Sequence, residues 1–291
     1  MSSTSTDVTT ARLLVTCDDR PGIVATISNF LYNHGANITA LDQHSTDPMG
    51  GTFFMRLEFR LPHDDLPSSV LERSFQRAVA DDYDMDWRIS YVDDVKEMAL
   101  FVSKYDHALL EILWRWSRGE LPCQVSMIIS NHPDLRDAVE RFDIPYHHIP
   151  VDSDHKPKAE AKALELLEGS ADLIVLARYM QILTGDFVAR YPDRIINIHH
   201  SFLPAFVGAS PYRKAKKRGV KLIGATAHYV TEELDAGPII EQDVIRVSHR
   251  EGVDDLRALG CSIERDVLAR AVKWHLEDRI IVDGNKTVVF A

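Results

Sequence analysis

The chain has 291 residues, 45% of them hydrophobic, and a formal net charge of -11 at pH 7. This length and apolar fraction suffice for two folded domains with buried cores. The negative charge argues against nucleic acid as a partner, because phosphate binding needs net or patterned positive charge. No apolar run approaches the ~18 residues that a membrane-spanning helix needs, so a membrane partner is not expected either.

The N-terminus and the cysteines both predict a cytoplasmic protein. Residues 1–10 are polar, rich in Ser and Thr and without the apolar core of a signal peptide, so we interpret them as a disordered tail. The three cysteines, Cys17, Cys123 and Cys261, are isolated and odd in number. They fit a reducing compartment better than a disulfide framework.

Residues 11–95 predict a first domain with the element order β-α-β-β-α-β, which is the ferredoxin-like arrangement. Strands are expected over residues 11–17, 38–45, 52–61 and 87–92, with helices beginning at Ile23 and near Val70.

The segment Asp-Arg-Pro-Gly-Ile-Val (19–24), followed by Asn-x-Leu-x-x-x-Gly-Ala-Asn-Ile, resembles an ACT regulatory domain. The resemblance implies association through sheets and a small effector, often an amino acid, bound near Arg20, Pro21, Gly22 and Ile23. Gly22 at a helix N-terminus would expose backbone N–H groups to a carboxylate. The alternative is that the Pro-Gly pair only makes a turn and the domain only holds subunits together. Because one face of such a sheet is left open, we expect a homo-oligomer, either a dimer or a tetramer.

Residues 96–291 predict a second domain, a doubly wound α/β fold with a mostly parallel sheet. Strands near 98–103, 125–130, 146–149, 173–177 and 195–198 alternate with helices near 109–116, 133–142, 158–168 and 185–191. Leu173–Ala177 is a continuous apolar run, as expected of a strand buried on both faces. A long helix over 253–277 and a hairpin turning at 283–285 complete the chain.

The residues between Ile195 and Gly237 carry the chemistry. Asn197 and His199 are two positions apart, so on a strand their side chains point to the same face. Asp235 lies in a turn that ends at Gly237. Each residue alone is more often structural, but together an amide, an imidazole and a carboxylate at one sheet edge suit attack on a carbonyl group.

Other site types are poorly supported. Adjacent histidines at 147–148 and 199–200 point to opposite faces of a strand, and the sequence has no Cys pair at ligand spacing and no His-Glu-x-x-His, so no metal is predicted. Lys104-Tyr105-Asp106-His107 follow the strand at 98–103, where a nucleotide site would need a glycine-rich loop. A basic run, Arg213, Lys214, Lys216, Lys217 and Arg218, is most simply the solvated face of a short helix that ends at Gly219. The alternative for this run is a collar for an anionic substrate.

The motif Asn-x-His, then Ser-x-Leu-Pro, then Gly-x-Thr-x-His-x-Val-x-x-x-x-Asp-x-Gly-Pro resembles the folate-dependent formyltransferase superfamily. The tandem His199-His200, where transferases usually have proline at the second position, resembles the deformylase branch. Transferases that formylate a phosphorylated sugar amine carry a glycine- and serine-rich phosphate loop at the place of residues 104–107. Since that loop is missing here, the resemblance points to water as the acceptor.

This resemblance implies hydrolysis of 10-formyltetrahydrofolate to formate and tetrahydrofolate with no required cofactor. The reaction would supply formate for purine synthesis and balance the one-carbon folate pools. The catalytic residues would be Asn197 as donor to the oxyanion, His199 as its protonated partner, and Asp235 as holder of the water. Either Asp235 or His199 would be the base. The residues expected to bind the folate are Arg178, Tyr179, Met180, Gln181, Ile182, Leu183, His200, Val230 and Thr231.

Two other functions remain open from the sequence. One is a formyltransferase with an unphosphorylated amine acceptor. The other is an inactive, amino-acid-responsive binding protein, which the presence of Asn197, His199 and Asp235 argues against.

Overall fold

The computed structural model describes residues 8–47, 50–62, 67–152, 155–204 and 211–291, and the chain divides into two compact units. The first unit is Met1–Val95 with Phe290–Ala291, and the second is Lys96–Val289. The division falls beside the polar boundary that the sequence predicts near Lys96. Of the expected tail, residues 1–7 lie outside the described residues. Residues 8–10 belong to the first strand, because they pair with residues 60–62 of a neighbouring strand.

The first unit has the predicted β-α-β-β-α-β order and a four-stranded antiparallel sheet in the order β2-β3-β1-β4. Its elements are β1 (Val8–Asp18), α1 (Ile23–Asn33), β2 (Asn37–Ser45), β3 (Thr52–Pro62), α2 (Ser68–Phe75), a π-helical turn (Gln76–Ala80), α3 (Asp81–Tyr83) and β4 (Asp86–Tyr91). Alternate residues of β1, among them Leu13, Val15 and Cys17, pack with Ile27 and Phe75 in one core. The apolar residues that alternate along the β1 sequence therefore form the side of the strand that faces the helices.

The second unit is built on a seven-stranded sheet in the order β11-β10-β9-β8-β5-β6-β7. Its elements are β5 (Lys96–Val102), α4 (His107–Ser117), β6 (Cys123–Ser130), α5 (Arg136–Val139), a 3-10 turn (Glu140–Phe142), β7 (Tyr146–His148), α6 (Lys156–Leu167), β8 (Leu173–Leu176), α7 (Gly185–Val188), β9 (Ile195–His199), α8 (Pro211–Arg218), β10 (Leu222–Tyr229), β11 (Ile239–Arg246), α9 (Val253–Leu276), β12 (Ile280–Asp283) and β13 (Lys286–Val289). Strands β5 to β9 pair with one another in parallel, whereas β10 pairs antiparallel with both β9 and β11. The predicted mostly parallel, doubly wound sheet is confirmed.

Apolar layers cover both faces of this sheet. Leu100 and Val175 lie in a core with residues of α4 and α9, whereas Phe101 and Ile174 lie in a second core with residues of α6 and α7. This two-sided burial explains the unbroken apolar run at Leu173–Ala177.

Three local expectations differ from the structure. The helix expected over 133–142 spans only 136–142, because residues 133–136 close a tight turn in which the Arg136 N–H donates to the Pro133 carbonyl. The helix expected over 185–191 ends at Val188, because the N–H groups of Arg190 and Tyr191 donate to carbonyls three residues earlier instead of four. Strand β11 was not predicted from the sequence. Its sequence does not alternate cleanly between apolar buried and polar exposed residues, because Ile239 and Val244 are exposed, and it pairs with β10 on one side only.

Within the described part of the chain, no helix combines the length and apolar character that crossing a membrane requires. The 24-residue helix α9 illustrates this, because it carries charged residues in its first turn and a buried glutamate in its middle.

Candidate active site

A cavity of about 460 Å³ lies beyond the carboxyl ends of β8 and β9. Its walls come from residues 178–183 after β8, from the end of β9, and from residues 230–235 after β10. The lining includes every residue that the sequence proposes for catalysis or folate binding: Asn197, His199, Asp235, Arg178, Tyr179, Met180, Gln181, Ile182, Leu183, His200, Val230 and Thr231. The location agrees with the rule that open α/β sheets bind ligands at this edge.

Asn197 is positioned by the pairing of β9 with β10. The antiparallel register sets Asn197 opposite His228, and Nδ2 of the amide lies 3.2 Å from Nε2 of that ring. Nδ1 of His228 lies 2.8 Å from the carbonyl oxygen of Tyr229. A ring that donates from Nδ1 accepts at Nε2, so the Asn197 amide donates one N–H to His228 and keeps the second for a ligand.

His199 follows Asn197 on the same face of β9 and lies beside Asp235. Its Nδ1 is 3.2 Å from Oδ1 of Asp235, and the same oxygen is 3.9 Å from Nε2 of His228. Nε2 of His199 is buried and has no hydrogen-bond partner among the described residues. The imidazole therefore offers one nitrogen to the carboxylate and the other to a bound molecule.

The turn after β10 brings Asp235 to the edge of the sheet. Asp235 has a left-handed backbone with φ of 56°, a conformation that Asp tolerates better than most residues. Gly237 makes the turn possible, because a Cβ there would lie 1.9 Å from the carbonyl oxygen of Tyr229. A larger residue at 237 would push the turn, and with it Asp235, away from β10.

The charges in this group are set by its histidines. The hydrogen bond from His199 and the nearby imidazoles of His228 and His200 hold the pKa of Asp235 below its ordinary value, against the effect of burial. Burial lowers the pKa of His228, which keeps that ring neutral. At neutral pH the group thus contains an ionised carboxylate and a neutral His228.

His200 is half-buried and lines the cavity between His199 and Tyr212. Its ring lies 5.2 Å from the His199 ring and 6.1 Å from the Tyr212 ring, centroid to centroid. Burial, followed by the positive charge of Arg178, lowers the pKa of His200 to about 4. His200 therefore presents an uncharged imidazole at neutral pH.

The wall formed by residues 178–183 is apolar and open to a ligand. Met180 and Ile182 are 53% and 58% exposed although both are large apolar side chains. The segment is held by the Met180 N–H, which donates to Ser103 Oγ at 2.9 Å, and by the edge of the Tyr179 ring against Phe101. Such a wall suits a flat, aromatic ligand of the kind that the folate resemblance implies.

A second polar group borders the same cavity, and of its members only Arg178 was predicted from the sequence as a site residue. We call Glu264, His107, Tyr212 and Arg178 the Glu264 cluster. Glu264 is 1% exposed, and its oxygens lie 2.8 Å from His107 Nε2, 2.9 Å from the Tyr212 hydroxyl and 3.4 Å from Arg178 Nε. Gly260 leaves room for this contact, because a Cβ there would lie 1.9 Å from the Tyr212 hydroxyl.

The Glu264 cluster contains two cations and one carboxylate. Burial alone would raise the pKa of Glu264, but the hydrogen bond from His107 and the charge of Arg178 outweigh it and lower this pKa. Burial likewise opposes protonation of His107, yet its contacts with Cys261 and Glu264 raise its pKa to about 9. His107 and Arg178 are therefore both positively charged at neutral pH.

Metal ligation has one candidate set of donors among the described residues. His107, Cys261 and Glu264 have donor atoms within 4.8 Å of one another. An ion bound there would have to replace the 2.8 Å contact between His107 and Glu264.

The loop expected to bind an effector lies in the first unit. Gly22 has φ of 100° and precedes α1, Pro21 is exposed and Ile23 is buried. The Arg20 guanidinium lies 4.1 Å above the Tyr83 ring and donates to the carbonyl of Asp82. Arg20 is thus already engaged within the unit.

The basic run lies in α8, and the helix stops before Gly219, as predicted from the sequence. Gly219 itself has a left-handed backbone. Arg213, Lys214, Lys217 and Arg218 are exposed, and Lys216 donates to the carbonyl oxygens of His249 and Glu251. The exposure is that of a solvated helix face.

Two functional groups that sequence reasoning missed had signals in the sequence. His228 lies inside the quoted motif, and pairing the two strands of that motif would have set it beside Asn197. Glu264 lies on α9 three and four positions before the buried Val267 and Leu268, so a carboxylate on the apolar face was visible. The partners of Glu264 come from distant segments and had no local signal.

Comparison with known proteins agrees with this architecture. Residues 96–272 match the formyl transferase family, and residues 11–65 match the ACT domain family.

Several relatives match the chain over nearly its whole length. A formyltetrahydrofolate deformylase of Bacillus subtilis strain 168 is 55% identical over 280 residues, covering 96% of this chain and 93% of the relative. The crystal structure of a formyltetrahydrofolate deformylase from Pseudomonas syringae pv. tomato has a TM-score of 0.93 and 49% identity, covering 99% of this chain and 96% of that one. A glycinamide ribonucleotide transformylase 1 from Symbiobacterium toebii has a TM-score of 0.64 and 30% identity, covering 68% of this chain and 95% of its own. The full-length likeness is to the deformylases.

Proposed function

This chain belongs to the formyltetrahydrofolate deformylase family, and on that premise we propose that its cavity hydrolyses 10-formyltetrahydrofolate to formate and tetrahydrofolate. The observation that carries the proposal is the convergence of Asn197, His199 and Asp235 in a cavity with an apolar wall. A hydrogen-bond donor, an imidazole and an ionised carboxylate are the groups needed to add water to a formyl carbonyl and to collapse the adduct.

The folate is seated by residues on two sides of the cavity. The pterin ring lies against the backbone of residues 178–183 and the apolar side chains of Met180, Ile182 and Leu183. Val230 and Thr231, at the start of the loop that ends in Asp235, cover it from the β10 side. This placement directs the formyl group on N10 towards Asn197 and His199.

In the first step, water adds to the formyl carbon. Asp235 Oδ1 contacts His199, which leaves Oδ2 to orient the water and to take its proton as the C–O bond forms. The second N–H of Asn197 and the Nε2–H of protonated His199 donate to the developing oxyanion. One such donor is worth roughly 3–4 kcal/mol in the transition state.

In the second step, the adduct collapses. The C–N10 bond breaks, its electron pair stays on N10, and N10 takes up the proton that water gave. The second oxygen remains on carbon, so the products are tetrahydrofolate and formic acid, which ionises to formate. His228 holds the Asn197 amide through both steps, and neutral His200 borders the space in which the product forms.

Water is the acceptor because the cavity lacks a seat for a phosphorylated amine. Residues 104–107 follow β5, where the transferases that the sequence resembles carry a glycine-rich phosphate loop. Here Tyr105 lines the cavity and His107 forms an ion pair with Glu264. These side chains therefore occupy the space in which a glycine-rich loop would bind a phosphate.

The direct test is release of formate from 10-formyltetrahydrofolate with no amine present. We expect one formate and one tetrahydrofolate per substrate consumed, and we expect the Asp235→Asn protein, prepared in the same way, to release neither. Tight folate binding without release would instead support a transferase with an unphosphorylated amine acceptor. If the protein neither binds the folate nor releases formate, the result would support an amino-acid-responsive binding protein.

We extend the proposal to the setting of the enzyme. The reaction needs no metal or other cofactor, takes place in the cytoplasm and feeds formate to purine synthesis. The ACT unit holds a homo-oligomer, a dimer or a tetramer, together. It also binds an amino-acid effector near Arg20, Pro21, Gly22 and Ile23, where the backbone at Gly22 precedes α1.

A further inference from the structure

The Glu264 cluster holds one more cation than its carboxylate needs. Glu264 is satisfied by His107 at 2.8 Å and by the Tyr212 hydroxyl at 2.9 Å. Arg178 comes no closer than 3.4 Å to this carboxylate. A buried carboxylate with one charged and one neutral partner is already compensated, so the second cation calls for another explanation.

Arg178 is buried with unused donors at the cavity. Its side chain is 9% exposed, lines the cavity and lies over the Tyr105 ring, with Cζ 5.1 Å from the ring centroid. Nε is buried and makes no hydrogen bond to a described residue. A guanidinium carries five N–H donors in a planar fork, and leaving a buried donor such as this Nε–H unmet is costly unless a ligand accepts from it.

The backbone conformation of Arg178 is a second indication that this residue binds a ligand. Arg178 has φ of 64°, the left-handed region that favours glycine. A long charged side chain held in that conformation beside a cavity is the kind of strained residue that clusters at ligand sites.

We propose that Arg178 binds the formate product as a carboxylate, receiving it from the Asn197–His199–Asp235 site before it leaves the cavity. This inference rests on the proposed function, because it needs hydrolysis to produce the carboxylate. The two oxygens of formate match the guanidinium fork.

Position and charge both favour this transfer. Formate appears beside the ionised Asp235, which repels it, whereas the Glu264 cluster, with two cations and one carboxylate, carries a net positive charge and reaches the cavity through Arg178. His200 lies between the two sites, with its ring near those of His199 and Tyr212, and Tyr212 contacts Glu264. Since His200 is uncharged, it can pass or contact the anion without trapping it.

The test measures binding of [13C]formate to the substrate-free protein by NMR saturation transfer and titration. The variants are Arg178→Lys, which keeps the charge but loses the fork, and Arg178→Gly, which suits the left-handed backbone and so folds even if the lysine variant does not. The matched control is Arg257→Gln, a cavity arginine that is 50% exposed and already paired with Asp254 at 2.7 Å. We expect both Arg178 variants to bind formate about tenfold or more weakly, and the control to bind it as the parent protein does.

Three results would overturn the proposal. Formate affinity could be unchanged in the Arg178 variants, or it could fall equally in all three variants, which would indicate only a general field. Alternatively, binding of p-aminobenzoylglutamate could fall in the Arg178 variants while formate binding did not, which would assign Arg178 to a carboxylate of the folate. Because the titration needs no turnover, it separates failure of this inference from failure of the hydrolase proposal, which the formate-release assay tests.

Discussion

The Asn197–His199–Asp235 group and the Glu264 cluster border one cavity, the cluster through Arg178, Tyr212 and Glu264, and each pairs a carboxylate with a histidine. In the first group, Asp235 contacts His199 through one oxygen, and Nε2 of His199 is left open. In the second, both oxygens of Glu264 are occupied, and Nε of Arg178 has no hydrogen-bond partner among the described residues. Whether a carboxylate–imidazole pair serves chemistry or structure thus depends on which of its atoms the fold leaves for a substrate.

The two groups also differ in how they are held. Strands and a glycine-closed turn position the first group at the sheet edge, where a few side chains face a ligand. The second group joins α9 to α4, α8 and the segment after β8, and its carboxylate is inaccessible to water. Substitution of Asp235 should therefore affect turnover, and substitution of Glu264 should affect folding.

The largest effect is expected for Asp235→Asn. Asparagine tolerates the left-handed backbone at 235, so the turn survives, but the variant cannot take the proton of water and no longer sets a carboxylate against His199 Nδ1. We expect kcat to fall by about 10³-fold or more, with folate affinity within about twofold of the parent. Steady-state kinetics and equilibrium folate binding measure the two effects. The control is Glu233→Gln, an exposed carboxylate of the same loop, and substantial activity in Asp235→Asn would remove Asp235 from the mechanism.

Next in size is the loss of stability in Glu264→Ala. The variant leaves the buried cation of His107 without its hydrogen-bonded carboxylate, which costs about 3–5 kcal/mol of unfolding free energy. Urea unfolding of the second unit, followed by circular dichroism, measures this. Asp266→Ala, an exposed carboxylate of the same helix, should change the stability by less than about 1 kcal/mol. Equal losses in the two variants would show that Glu264 carries no special structural role.

A pH dependence of stability should follow from His107. Its pKa is about 9 in the folded protein, against an ordinary value of 6.5, so its contribution is complete below pH 6.5 and is lost as the pH rises through 9. We expect the unfolding free energy to drop by roughly 3 kcal/mol across this range. The drop should vanish in His107→Gln and persist in His155→Gln, whose histidine is exposed. A slope that survives in His107→Gln would assign it to other groups.

The smallest effect is expected at His228, which acts through Asn197. His228→Ala frees the Asn197 amide to rotate, and we expect kcat to fall by about tenfold with KM for the folate nearly unchanged. His228→Gln can still accept from the amide and should restore part of the rate. A merely structural His228 would instead lower stability or raise KM, with no recovery in the glutamine variant.

Much of the fold and of the first group could be predicted, for local reasons. Alternation along β1 and the apolar run of β8 record which faces are buried, and Pro-Gly and Asp-Ala-Gly-Pro mark turns. The spacing of Asn197 and His199 determines that they share a face once their segment is a strand. The boundaries that failed, at 133 and 191, are places where a short turn competes with a helix over one or two hydrogen bonds.

The sequence by itself therefore determined the two-unit plan, the mostly parallel sheet, and Asn197, His199 and Asp235 as candidates. Only the tertiary structure decided that His228 faces Asn197, because this depends on the register of β9 against β10. It also decided that His107, Tyr212 and Arg178 meet at Glu264, since residues up to 157 positions apart in the chain come together there. Periodicity reports which side of an element is buried, but the partner across the core is chosen by the packing of the whole unit.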